Sequence, residues 1–116
     1  MIDSTWIEHR RSGDRERLGW MLPEGDGFVA IDLLGRRHTD AVDWLDAEEA
    51  LDELGIGYLA EPYELQLGDG HWLRVRILEV STDAITVKKD DWGDMTATQL
   101  TYTVAFPMPA ELRLLA

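Results

Sequence analysis

Asp32 is the residue whose setting most resembles a chemical group in waiting. It interrupts Phe28-Val-Ala-Ile-Asp-Leu-Leu34, an otherwise apolar run. A carboxylate confined among apolar side chains is a candidate general acid or base, because desolvation favours its protonated form. The plainer readings are an edge position or a partner such as Arg17 across a hairpin. His38, Asp40 and Asp43 place an imidazole and two carboxylates within a short stretch. Metal sites need three or four convergent ligands, and His38 follows Gly35-Arg36-Arg37, which reads as an exposed turn. Asp90, Asp91 and Asp94 lack the alternating ligands and terminal Glu of a calcium loop. Neither cluster is taken as a metal site, and no cofactor is expected.

Gly55-Ile-Gly57-Tyr-Leu-Ala60 fits the dinucleotide pattern on paper. That chemistry needs the glycines between a strand and the start of a helix, and these follow a helix instead. They read as a helix stop and a turn. The only serines are Ser4, Ser12 and Ser81, none in a nucleophile elbow, and Ser4 with His9 lies near the chain end. No catalytic constellation emerges, so an enzyme is not the leading expectation.

Two surfaces suit binding better. Trp72 shares the outer face of a strand with Arg74 and Arg76, and tryptophan and arginine are enriched where proteins meet. Trp92, in an acidic turn, is a second aromatic candidate. Glu48, Glu49, Asp52 and Glu53 line one face of a helix and could meet a basic partner.

The elements that hold these residues are mostly strands. The helix is the exception: Asp46 and Glu49 give a capping-box start, and Ala47, Ala50, Leu51 and Leu54 form one apolar face. Gly55 stops it, predicting a helix over about residues 46–54 with Leu45 packing back on Ala50. A first hairpin joins 17–22 to 28–34 across Pro23–Gly27, with Leu22 opposite Phe28, Trp20 opposite Ala30 and Met21 opposite Val29. Both of its faces are apolar, so it should be covered twice, by a helix on one side and by another sheet or a second subunit on the other. A second hairpin turns at Gly68-Asp69-Gly70, pairing Leu65 with Leu73, Tyr63 with Val75, Gln66 with Trp72, and Glu64 with Arg74 as a cross-strand ion pair.

A third hairpin turns at Ser81–Ala84, matching Val80 with Ile85 and Leu78 with Val87. The buried parity then switches within 71–80, which calls for a bulge or a bend. A last strand over 99–106 alternates with Leu100, Tyr102, Val104 and Phe106 inward, and Leu112–Leu115 reads as a short docked tail. The expected fold is α+β. It comprises a mainly antiparallel, strongly bent, barrel-like sheet of about six or seven strands with one short helix, in a single domain over 1–116.

Composition narrows the functional classes. Of 116 residues, 23 are acidic and 11 basic, for a net charge of −12. From Asp40 to Glu64 nine carboxylates occur without one base. Such a field repels nucleic acid, whose binding depends on cationic side chains displacing counterions. There is no cysteine, so disulfides, thiolate zinc sites and thiol nucleophiles are excluded. No apolar run is long enough to span a membrane, and no signal-peptide pattern opens the chain, so a cytoplasmic protein is expected. Arginine far outnumbers lysine, a bias that fits a GC-rich bacterial genome.

Three functions remain open. The leading one is a non-catalytic interaction or accessory protein that self-associates, using the doubly apolar hairpin and the Trp72 strip. The second is a small-molecule binder or minor enzyme with a pocket near Asp32 and Trp20. The third is an acidic antitoxin- or immunity-like protein that neutralises a basic partner through Glu48, Glu49, Asp52 and Glu53.

Overall fold

A computed structural model describes residues 5–90 and 100–115. The chain divides into two compact units, Met1–Tyr58 and Leu59–Ala116.

In the first unit, strands β1 (Ile7–Arg10), β2 (Arg17–Glu24) and β3 (Gly27–Ile31) form an antiparallel sheet in that order, and helix α1 (Trp44–Leu54) follows. Gly25 and Asp26 make a two-residue turn between Glu24 and Gly27, with Gly25 at φ 58°, a conformation that favours glycine. This tight reversal replaces the longer loop expected over 23–27 and moves every pair by one. Trp20 faces Ile31, Met21 faces Ala30 and Leu22 faces Val29. A bulge at Leu18, where His9 pairs with Gly19 but Arg10 pairs with Arg17, lets Leu18 join Met21 in one core.

That core contains Leu18, Met21, Ala30, Ala47 and Leu51, with Phe28, Val42, Ala50 and Ile56 packed around it. Helix α1 thus covers one face of the hairpin, as expected. On the opposite face Trp20, Val29 and Ile31 are also buried, and the Trp6 ring lies 5.5 Å from Trp20.

The helix begins two residues before its expected start. Asp43, not Asp46, is the N-cap: its Oδ1 accepts the Asp46 N–H at 2.8 Å. Tertiary contacts fix this earlier start. Phe28 and Val42 exchange backbone hydrogen bonds, and Trp44 meets Phe28 edge-on with ring centroids 5.0 Å apart. Val42, just before the cap, packs with the cluster that holds Ala47, so it fills the staple position assigned to Leu45. Leu45 points to solvent and is 61% exposed. Gly55 at φ 62° ends the helix, its N–H donating to the Leu51 carbonyl.

The second unit is one five-stranded antiparallel sheet. Its strands are β4 (Pro62–Gln66), β5 (Trp72–Val80), β6 (Ala84–Lys89), β7 (Thr101–Ala105) and β8 (Leu112–Leu114), in the order β7-β6-β5-β4-β8. The Gly68-Asp69-Gly70 hairpin has the expected register, Leu65 with Leu73 and Tyr63 with Val75. The β5–β6 hairpin keeps Val80 opposite Ile85, but Val87 faces Ile77 rather than Leu78. Leu78 is the extra residue of the expected bulge and is 56% exposed. Tyr63, Leu65, Val75, Ile85, Val87 and Leu112 are buried, whereas Glu64, Arg74 and Arg76 alternate with them.

No barrel forms from these strands. The sheets are open, of three and five strands, with β7 and β8 at opposite ends of the larger one. The bulge at Leu78 absorbs the change of buried parity without carrying β5 into a second sheet. One strand beyond those read from the sequence lies toward each end of the chain. The polar β1 pairs with β2, and the expected docked tail is β8, paired with β4.

Candidate interaction surfaces

Asp32 is buried, at 3% exposure, and its job is a turn. Its Oδ1 accepts the N–H groups of Leu34 and Arg36, each at 2.9 Å, and its Oδ2 accepts Arg36 Nε at 2.8 Å. Its partner is therefore Arg36, not Arg17, which lies over the Trp20 ring. The carboxylate reverses the chain after β3, with Gly35 at φ 83°, so the strand expected to reach Leu34 stops at Ile31. The returning segment pairs Arg37 with Ile31 and Val42 with Phe28. His38 and Asp40 ride on that segment, exposed, while Asp43 caps α1.

The acidic quartet on α1 splits into two pairs. Asp52 Oδ1 lies 3.0 Å from His9 Nε2, and Glu48 Oε2 lies 3.6 Å from His9 Nδ1. His9 is a buried residue of β1 and faces the helix across the bulged pair with Gly19. Glu49 and Glu53 face solvent. Nothing in the residues around His9 links it to a helix more than forty residues away. Among the described residues, no group of three His, Cys, Asp or Glu side chains is placed to hold a metal ion. Asp91, Trp92 and Asp94 lie outside the described residues, and Asp90 belongs to the ion pairs below.

On the five-stranded sheet, Trp72, Arg74 and Arg76 do lie along β5, all half-buried. Their partners differ from the expected ones. The guanidinium that stacks on Trp72 belongs to Arg113 of β8, 3.6 Å from the ring centroid. Glu64 accepts Arg113 Nε at 3.1 Å, replacing the expected Glu64–Arg74 pair. Arg74 and Arg76 share Asp90 Oδ2, at 2.9 and 3.2 Å, and Arg76 also donates to the Ala60 carbonyl. The strip is thus a set of paired side chains.

Two exposed turns show how carboxylates here serve shape. In the β1–β2 loop, the Arg11 fork and then the Glu16 N–H hold the Asp14 carboxyl down at about 2. In the Gly68–Gly70 turn, the His71 N–H and then its ring hold Asp69 below the ordinary carboxylate range.

The sheet edges form a further surface. A bare edge offers unpaired N–H and C=O groups to another chain, and proteins ordinarily guard it with charge, proline, a bulge, shortness or a cover. Strand β1 is short and carries Glu8 and Arg10; β3 is covered by the segment 37–42; β8 has three residues with Arg113 at its centre. Strand β7 has the sequence Thr-Tyr-Thr-Val-Ala, and among the described residues only β6 pairs with it. The chain holds no charged residue from Met95 to Ala110, although 29% of its residues are charged. On the other unit, Trp44 and Leu45 in the first turn of α1 are exposed, at 40% and 61%, among Asp43, Asp46 and Glu49. Among the described residues, no helix is long and apolar enough to cross a membrane. No protein-family model, no curated protein and no solved structure matches this chain.

Proposed function

We propose that this chain is a non-catalytic protein-interaction module of the bacterial cytoplasm that self-associates. The observation that carries this reading is the edge of β7, which among the described residues pairs only with β6, an uncharged run of β-forming residues in a strongly acidic chain. Its support has moved from where the sequence located it. The doubly apolar hairpin is buried on both faces, and the Trp72 strip is held by Arg113, Glu64 and Asp90. Sedimentation velocity across the micromolar range tests the reading. The expected result is a concentration-dependent shift toward a dimer; a single monomeric species at every concentration overturns it.

A second reading is favoured by one specific feature, the exposed Trp44 and Leu45 set among the carboxylates of α1. An apolar pair ringed by acids suits a basic protein partner, with Glu49 and Glu53 free to add to the field. Binding of such a partner should weaken steeply as salt rises from low to physiological strength. The pocket reading near Asp32 has less behind it, because both carboxylate oxygens are occupied by Leu34 and Arg36.

A further inference from the structure

Resting on the reading of self-association, we infer that the partner of β7 is β7 of a second copy, joined about a two-fold axis through Thr103 into one continuous sheet.

The hydrogen-bond phase of β7 sets this register. Lys89 N–H donates to the Leu100 carbonyl at 2.9 Å, and the β6–β7 pairs run from Lys88 with Thr101 to Ala84 with Ala105. In an antiparallel ladder, bonded and non-bonded pairs alternate. Leu100, Tyr102 and Val104 therefore direct their backbone groups toward β6. Thr101, Thr103 and Ala105 direct theirs outward, to the open edge. An antiparallel copy satisfies all of these when Thr103 faces Thr103 and Thr101 faces Ala105, giving about six new backbone hydrogen bonds, two for each facing pair.

The side chains agree with that register. Facing threonines form a favourable cross-strand pair. On the opposite face Tyr102 comes beside Val104 of the second copy, an aromatic and β-branched pair, and both are only half-buried in the single chain. Charge selects the occupant. Two copies that each carry −12 repel most approaches, and β7 lies within the uncharged stretch, so two copies can meet there with least repulsion. Of the other described edges, β1 and β8 are shorter and carry charged residues, and β3 is already covered.

The test compares the wild-type chain with Thr103→Pro and Thr103→Cys. Proline removes an N–H that points away from β6, so the β6–β7 ladder keeps its own bonds. The expected result is a dimer for the wild type and association weakened at least ~10-fold for Thr103→Pro, with an unchanged far-ultraviolet circular dichroism spectrum. The chain has no native cysteine, so Thr103→Cys introduces a lone thiol. It should cross-link under mild oxidation, since facing Cα atoms at about 5.5 Å suit a disulfide, whereas Glu49→Cys should not. A wild-type dimer that persists in Thr103→Pro and does not cross-link at residue 103 overturns the β7 assignment and leaves self-association standing. A monomeric wild type overturns both. Should Thr103→Pro fail to fold, the cross-link alone decides.

Discussion

Replacing Gly19 with alanine should damage the first unit more than any other loss or gain of a single methyl group there. A Cβ at Gly19 would lie 2.1 Å from the Ile31 carbonyl oxygen, 3.2 Å from its carbonyl carbon and 3.2 Å from a Leu51 methyl. The first two atoms are backbone of β3, held by the β2–β3 ladder, so they cannot rotate aside. Relief requires β3 to move by about 1 Å, and overpacking of this kind costs ~1–3 kcal/mol. Gly19 also sits at φ 152°, which an L side chain rarely adopts, adding ~1–3 kcal/mol of backbone strain. Restricting the unfolded chain returns ~0.4–1 kcal/mol. The net loss is therefore about 1–5 kcal/mol, a large share of the stability of a small protein.

Urea unfolding followed by tryptophan fluorescence measures it, since Trp20 is the neighbour of Gly19 and is buried. With a denaturant slope of about 1–2 kcal/mol/M, the midpoint should fall by at least ~0.5 M. Gly13→Ala is the control: nothing lies within 4 Å of its added methyl, and the unfolding free energy should stay within ~0.5 kcal/mol of wild type. If Gly19→Ala unfolds at the same urea concentration as Gly13→Ala, the close approach of β2 to β3 described above is wrong.

Other substitutions probe the turns and caps. Asp32→Ala leaves the Leu34 and Arg36 N–H groups without their acceptor and should cost about 1–3 kcal/mol; Asp32→Asn keeps an oxygen acceptor and should be milder, and equal losses in urea unfolding would refute the turn-forming role. Asp43→Ala should cost about 1 kcal/mol and Asp46→Ala clearly less, by the same assay, because only Asp43 caps α1. The Asp14 carboxyl, followed by NMR, should titrate at about 2 rather than 3.8. Because the folded value is the lower one, its stabilising contribution is complete above the ordinary value and disappears as pH falls through about 2. Arg11→Ala should move that midpoint back toward 3.8, and an unmoved midpoint would show that the Arg11 fork is not the cause.

Where a signal is contained in a few consecutive residues, the sequence located it. Gly68-Asp69-Gly70 allowed one register, and the residues on either side alternate so clearly that each β4–β5 pair follows. The parity conflict between Val75 and Val80 called for a bulge or a bend, and a bulge lies at Leu78. Where two local solutions compete, sequence alone does not choose. Gly25-Asp26 and the longer Pro23–Gly27 loop both reverse a chain, and they differ by one residue, which moves the partners of Trp20 and Met21 along β3 by one position. Asp43 and Asp46 both resemble caps, and Phe28 decides between them through its bonds to Val42. The barrel expectation failed for a related reason: a bulge and a bend into a second sheet leave the same trace in hydrophobic parity, while only the bend closes a barrel.

The candidate surfaces depended on contacts that run far along the chain. Glu64 and Arg113 are 49 residues apart, and nothing near Trp72 reveals that Arg113 would stack on it. His9 reaches Asp52 across 43 residues by way of a strand whose short polar sequence conceals it. The β7 edge is instructive because half of it was visible. The uncharged run from Met95 to Ala110 stands out in a chain with 34 charged residues, and its alternation marks a strand. Alternation, however, is the same for a strand in the middle of a sheet and for one at its end. The charges that proteins place on edges are a guard only where an edge exists, so their absence acquired meaning once the strand order put β7 outermost among the described strands. A central strand with this sequence would be an ordinary core element; at the rim it is an unfinished ladder.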